Sequence, residues 1–304
     1  MPPRLATDAS LLRDPDVESV YRDIDGLELH AVAAGDPSDP LVVLLHGFPE
    51  FWWGWREYVG PLVDAGYRVL APDGRGYNLS EAPDALPAYS TDRLSADLAG
   101  WIESEGRDSA RVVGHDWGAA VAWDAALRRP AVVDRLVIIN VPHPAAFAGA
   151  LMPSRGRWKL TLRQWRRSWY VLFFQLPGVP EWLNRRSDYE GMARFLRQAS
   201  PDALSEADLD RYRAAWSRPG ALTAMLDWYR AAVQHRPDLP GVTVEQPTLV
   251  VWGEQDDALL PELAEQSVGF CEDGRLERFP DASHWVTHER QAEVQALLRE
   301  HLDG

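Results

Sequence analysis

Five short runs of leucine and β-branched residues punctuate this chain: Leu41 to Leu45, Tyr67 to Ala71, Ala110 to Val113, Arg135 to Ile139 and Thr248 to Trp252. Each is bounded by Gly, Pro, Asp or Asn, and within each the apolar residues are continuous rather than alternating. A strand with water on one face alternates. A continuous run implies burial on both faces, as for an inner strand of a parallel sheet covered by helices on each side. Between the runs lie patterns of helical period. Leu94, Leu98, Trp101 and Ile102 share one face, as do Val294, Leu297, Leu298 and His301. Strand and helix in alternation specify an α/β architecture around a mostly parallel central sheet.

The alternation stops between about Phe147 and Pro240. Here Ser205 and Asp208 have the spacing of a capping box, followed by Leu209, Tyr212 and Trp216. A later helix carries Leu222, Met225, Leu226, Tyr229 and Val233 on one stripe. The expected organisation is a core formed by residues 1–146 and 241–304, with 147–240 inserted as a helical lid. Arg155 to Arg167 is rich in arginine and reads as a solvated face of that lid. A chain of 304 residues suffices for one large core with such an insertion.

Charge narrows the partners. The chain has 46 acidic and 31 basic residues, a formal net charge of −15, with Lys159 its one lysine. A field of that sign argues against nucleic acid and against anionic membrane. With Cys271 the only cysteine, no internal disulfide can form. No apolar run is long enough to span a bilayer, and Met1 to Ser10 carries no apolar leader segment. A cytoplasmic protein is expected, with homo-oligomerisation left open.

The sharpest local signal is Val112-Val113-Gly114-His115-Asp116-Trp117-Gly118-Ala119-Ala120. A buried strand passes into a small-residue helix through Gly-x-Asp-x-Gly, the pattern of a nucleophile elbow with aspartate where hydrolases commonly carry serine. The central residue of such a turn is strained, so its neighbours two positions away must be small, and Gly114 and Gly118 are. A serine attacking saturated carbon would leave an ether that water does not readily cleave, whereas a carboxylate leaves an ester that it does. A carboxylate is also ionised at neutral pH and needs no base for its attack. The chemistry indicated is substitution at saturated carbon, on epoxides or alkyl halides. By itself, Asp116 could equally be an ordinary helix N-cap.

Its prospective partners bear on that choice. His46-Gly47-Phe48-Pro49 follows the first run, where Pro49 fixes a loop, through a cis bond if the turn requires it. The backbone N–H groups of Phe48 and Trp117 would then form an oxyanion hole. Glu254-Gln255-Asp256-Asp257 follows the last run, and Asp281-Ala282-Ser283-His284-Trp285 precedes the C-terminal helix. Nucleophile, acid and histidine thus occur in the order of the Ser…Asp…His hydrolases. Of eight histidines, His284 alone combines a loop position, this chain order and a preceding acid. His46 and His115 read as bonding within their own loops, His288 as a surface residue at a helix start, and His301 as packing.

With these residues assembled, the chain resembles the soluble epoxide hydrolases of the α/β-hydrolase fold, the aspartate-nucleophile branch related to haloalkane dehalogenases. The resemblance runs from about Asp25 to the C-terminal helix. It rests on His46-Gly47-Phe48-Pro49-Glu50, Arg75-Gly76-Tyr77, Gly114-His115-Asp116-Trp117-Gly118 and Asn140-Val141-Pro142-His143-Pro144. It implies two lid tyrosines that hydrogen-bond the epoxide oxygen: Tyr170, within Trp169 to Gly178, and Tyr229, within Asp227-Trp228-Tyr229-Arg230. It also implies Asp256 rather than Asp257 as the acid. The activity implied is hydrolysis of a hydrophobic epoxide to a vicinal diol, through an ester on Asp116, with water as co-substrate and no metal or organic cofactor. The six tryptophans at 158, 165, 169, 182, 216 and 228 suggest an apolar pocket in the lid. Two other activities are compatible with parts of this pattern. Haloalkane dehalogenases lack the tyrosine pair and usually carry Asn where Phe48 stands. A ligand-binding receptor on a hydrolase scaffold would have lost a catalytic residue.

Overall fold

All five runs become neighbouring strands of one sheet. The computed structural model describes residues 7–12, 16–153, 156–199 and 203–304. Arg155 of the arginine-rich stretch and the first six residues of Met1 to Ser10 lie outside the described residues. The strands are β1 (Val17–Ile24), β2 (Leu27–Ala34), β3 (Leu41–Leu45), β4 (Arg68–Pro72), β5 (Ala110–His115), β6 (Val133–Ile139), β7 (Thr248–Gly253) and β8 (Gly274–Phe279). Their order is β1-β2-β4-β3-β5-β6-β7-β8. Pairings β1/β2 and β2/β4 are antiparallel and the rest parallel.

Continuous apolarity corresponds to burial on both faces. Every residue of β3, β4 and β7 is buried. Each fully buried Val, Leu or Ile contributes about 1.5–3 kcal/mol, so these strands stabilise the middle of the core. The strands that carry no such run are β1, β2 and β8. β1 and β8 are the sheet's edges, and β8 has no buried residue at all. β2 is inner, but half of its buried residues are alanine and one is His30. A signal for the first pair exists: Asp25-Gly26, both at positive φ (54° and 77°), forms the two-residue turn that joins β1 to β2.

The helices around the sheet are α1 (Arg56–Val63), α2 (Thr91–Ser104) and α3 (Trp117–Arg128), followed after β7 by α11 (Glu262–Val268), α12 (Val286–Glu289) and α13 (Gln291–Asp303). α2 buries Leu94, Leu98, Trp101 and Ile102 and packs on α3, while α1 packs on α13. Between β6 and β7 the described residues form α4 (Pro144–Leu151), α5 (Trp158–Arg167), α6 (Trp169–Phe174), α7 (Val179–Arg186), α8 (Glu190–Ala199), α9 (Glu206–Trp216) and α10 (Ala221–Gln234). α9 opens with the capping box: Ser205 Oγ accepts from Asp208 N at 3.2 Å, and Asp208 Oδ2 accepts from Ser205 N at 2.9 Å. α10 buries Leu222, Met225, Leu226 and Tyr229, but Val233 departs from the expected stripe. It is 52% exposed, because the last turn of the helix runs past the core. Among the described residues no helix is long and apolar enough to cross a membrane.

Candidate active site

The loops that follow β3, β5 and β7 all leave from the carboxyl ends of parallel strands, where open α/β sheets gather ligand sites. Asp116 lies between β5 and α3 at φ 48°, ψ −122°, a conformation that L-residues rarely adopt. A Cβ at Gly114 would stand 2.5 Å from the Gly118 carbonyl, and one at Gly118 would run into the Leu45 carbonyl. A Cβ at Gly47 would collide with Asp116 itself, so that glycine lets the β3 loop approach.

Although Asp116 occupies the N-cap position of α3, its side chain makes no capping bond. Instead Oδ1 accepts from the Phe48 backbone N–H at 2.7 Å, and Oδ2 lies 3.5 Å from His284 Nε2. The Phe48–Pro49 peptide is cis. Trp117 is the first residue of α3, and its ring packs edge-on to Tyr229, with centroids 5.0 Å apart.

His284 faces two carboxylates. Its Nδ1 lies 2.7 Å from Asp256 Oδ2 and its Nε2 faces Asp116. Asp256 is fully buried and Asp257 exposed, so tertiary structure distinguishes the two adjacent acids. Asp256 also accepts from Ala258 N (2.7 Å), Leu259 N (2.9 Å) and Asn140 Nδ2 (2.8 Å). Asn140 further ties itself to Gly253, accepting from its N–H at 2.8 Å. Burial alone would lower the His284 pKa, but the charges of Asp256 and Asp116 and their hydrogen bonds raise it to about 10. Burial would likewise raise Asp116 and Asp256, yet His284 holds both below the usual carboxylate value.

α6 and α10 bring Tyr170 and Tyr229 together, their rings 5.9 Å apart and each edge-on to Phe174. Tyr229 also meets Phe48 at 5.3 Å. Burial, then the Asp116 charge, drives both phenols well above their ordinary pKa, keeping them protonated. A third phenol, Tyr77, has a buried hydroxyl with no partner among the described residues and is raised by the same two causes.

The tryptophan expectation needs correction. Trp216 and Trp228 are buried, but Trp158, Trp165, Trp169 and Trp182 are between 51% and 63% exposed. The apolar wall beside the carboxylate comes instead from Phe48, Phe174 and Trp117, two of which lie outside the lid segment.

The histidines need correction too. His46 bonds within its loop, to the Gly47 carbonyl at 3.0 Å, but its Nε2 also accepts from the Gly74 N–H of another loop at 3.0 Å. His115, however, reaches across to the His284 carbonyl through Nε2 (2.9 Å). His288 is not on the surface: its Nε2 contacts Glu50 Oε1 at 2.9 Å, an oxygen that also accepts from Tyr212 at 2.6 Å. Burial would raise Glu50, but the charge and hydrogen bond of His288, with the His115 ring 3.8 Å away, hold it well below the usual range. Glu50, Asn140 and Tyr77 each stand in a quoted motif. Sequence reasoning gave them no role, because their partners lie in distant loops. No group of His, Cys, Asp and Glu among the described residues is arranged to hold a metal.

Comparison with known proteins adds to this geometry. A family model for the alpha/beta hydrolase fold matches residues 40–291. The chain is 42% identical to the AB hydrolase superfamily protein YfhM of Bacillus subtilis, over 94% of this chain and 98% of that protein. It is 34% identical to Epoxide hydrolase A of Mycobacterium tuberculosis, over 93% and 96% respectively. Among solved structures it is similar to an epoxide hydrolase of Bacillus megaterium in complex with an inhibitor. There the TM-score is 0.84 at 29% identity, covering 94% of this chain and all of that one.

Proposed function

Because the chain belongs to the α/β-hydrolase fold family and, within it, to the epoxide hydrolases, we propose that it converts a hydrophobic epoxide to a vicinal diol through an ester on Asp116. The observation that carries this reading is a single constellation. The Asp116 carboxylate is held by the Phe48 N–H and the His284 imidazole, with the raised phenols of Tyr170 and Tyr229 within reach of its charge.

Tyr170 and Tyr229 bind the oxirane oxygen. Asp116 attacks a ring carbon, and as the C–O bond breaks one phenol passes its proton to the departing oxygen. Until then His284 is an imidazolium between two carboxylates. Esterification removes the charge of Asp116, so the His284 pKa falls and its proton can restore the phenol. The neutral imidazole, oriented by Asp256, then takes a proton from water as the hydroxide adds to the ester carbonyl. The N–H groups of Phe48 and Trp117 stabilise the oxyanion. Collapse expels the diol and returns the Asp116 carboxylate and the His284 imidazolium, so one epoxide and one water are consumed with no residual proton.

Residues 147–240 act as the lid in this reading, contributing both phenols and Phe174. The tyrosine pair favours an epoxide over an alkyl halide, because halide leaves without a proton. Halide release from simple haloalkanes is the discriminating assay. All the catalytic groups remain together, against a binding-only role.

The test is one turnover in ¹⁸O-water with enzyme in excess. Label is expected in the Asp116 carboxylate, since water attacks the ester carbonyl. Label in the diol alone refutes the ester route.

A further inference from the structure

A surface helix normally turns its apolar stripe inward. α5 does the reverse. Its buried side chains are Thr161 and Gln164. Gln164 donates to the Ala258 carbonyl (2.9 Å) and accepts from Leu260 N (3.2 Å), while Arg167 donates to the Asp256 and Leu259 carbonyls (2.7 and 2.8 Å). Polar groups thus dock the helix on the loop of the buried acid, and its apolar stripe faces out. Trp158, Leu162 and Trp165 are 58%, 50% and 51% exposed. α6 extends the same 4-3-4-3 spacing with Trp169 (63%) and Leu172 (71%), and Trp182 on α7 is 57% exposed. On α6 the other side carries Tyr170 and Phe174, whose rings meet Tyr229.

Charge marks the same segment. Residues 152–186 hold eight basic residues and one acidic, a local charge of +7 in a chain of net −15. Arg157, Lys159, Arg166, Arg185 and Arg186 are exposed and form no ion pair among the described residues. Lys159 and Arg186 instead lie over the rings of Trp158 and Trp182, at 5.7 and 5.3 Å. Exposed tryptophans flanked by unpaired cations match a membrane–water interface, where the indole straddles the boundary and cations meet lipid phosphate. Averaged over the chain, the charge opposes an anionic surface. At cellular ionic strength, though, charges more than about 8 Å apart are largely screened, so this face responds to its own sign. A two-fold dimer through it would set like charge against like.

We propose that the face formed by α5, α6 and the start of α7 docks on an anionic lipid bilayer. The docking stands whether or not Asp116 is the nucleophile. If both hold, α6 alone, one helix of about 10 Å diameter, separates the acyl boundary from the site.

The test is flotation of the purified full chain with vesicles of phosphatidylcholine and phosphatidylglycerol in equal parts, against phosphatidylcholine alone, at low and high salt. Binding is expected to the mixed vesicles and to weaken with salt. The variant Trp158→Ser/Trp169→Ser/Trp182→Ser should bind at least ten-fold more weakly at an unchanged melting temperature. Arg166→Glu/Arg186→Glu should lose at least about 25-fold, at roughly five-fold per basic residue near the surface. The proposal is overturned if the protein stays unbound with the mixed vesicles, or if the tryptophan variant floats as well as wild type. It is also overturned if sedimentation velocity shows a dimer that the tryptophan variant abolishes, since a second copy would then cover the face.

Discussion

Replacing Asp256 with asparagine removes one charge from a fully buried position and leaves its shape unchanged. Four donors converge on that carboxylate: His284 Nδ1 and Asn140 Nδ2 on Oδ2, and the N–H groups of Ala258 and Leu259 on Oδ1. An amide accepts through one oxygen only, so its NH₂ group must face two donors in either rotamer. Each buried donor left unsatisfied costs about 1–3 kcal/mol, giving roughly 2–6 kcal/mol of lost stability. The imidazole can relieve the clash by accepting at Nδ1, but Nε2 then carries the proton and cannot take one from water. Ester hydrolysis should therefore slow on the order of 10⁴-fold, as when an orienting aspartate is amidated in a Ser-His-Asp triad. In the proposed route ester formation draws on Asp116 and the phenols, not the base, and should change little by comparison. Rapid-quench kinetics should then show a burst of one turnover followed by a stall, and intact mass should show the alkylated enzyme accumulating. Turnover near the wild-type rate would refute the reasoning, as would a loss of ester formation as severe as the loss of ester hydrolysis.

Three further outcomes follow from named contacts. Tyr170→Phe and Tyr229→Phe should each slow ester formation by about 10²-fold or more while sparing ester hydrolysis, as read in pre-steady-state kinetics. Glu50 is held below its ordinary pKa of 4.5, so its ionised form contributes stability above about pH 4.5 that is lost as pH falls through the folded value. Glu50→Gln should cost about 3 kcal/mol at neutral pH and give a shallower acid limb; urea midpoints from pH 7 to 3 check both. Gly118→Ala drives a Cβ into the Leu45 carbonyl and should cost about 3 kcal/mol or prevent folding, measured by urea denaturation against wild type.

Much of the core was legible because burial on both faces leaves a local trace. The run Leu41 to Leu45 coincides with β3, and Thr248 to Trp252 falls one residue short of β7. The elbow was legible for a similar reason: Gly114 and Gly118 record a close approach that no larger residue tolerates. β8 left no trace because an edge strand buries little, and its polar sequence could equally be loop. The lid was misread where its amphipathicity is inverted. On α5 a stripe of tryptophans signals an apolar face without saying whether that face turns to a pocket or to the outside.

By itself, then, the sequence determined the sheet interior, the aspartate at the strand–helix corner and the histidine that follows it in chain order. These are properties of single segments, expressed as residue size and polarity. Only tertiary structure decided that Asp256 and not Asp257 meets His284, that Asn140 braces it, that His288 is buried on Glu50, and which way the lid tryptophans face. A side chain's type records whether it can afford to leave water, but its partner is set by where distant loops converge, and no local pattern encodes that distance.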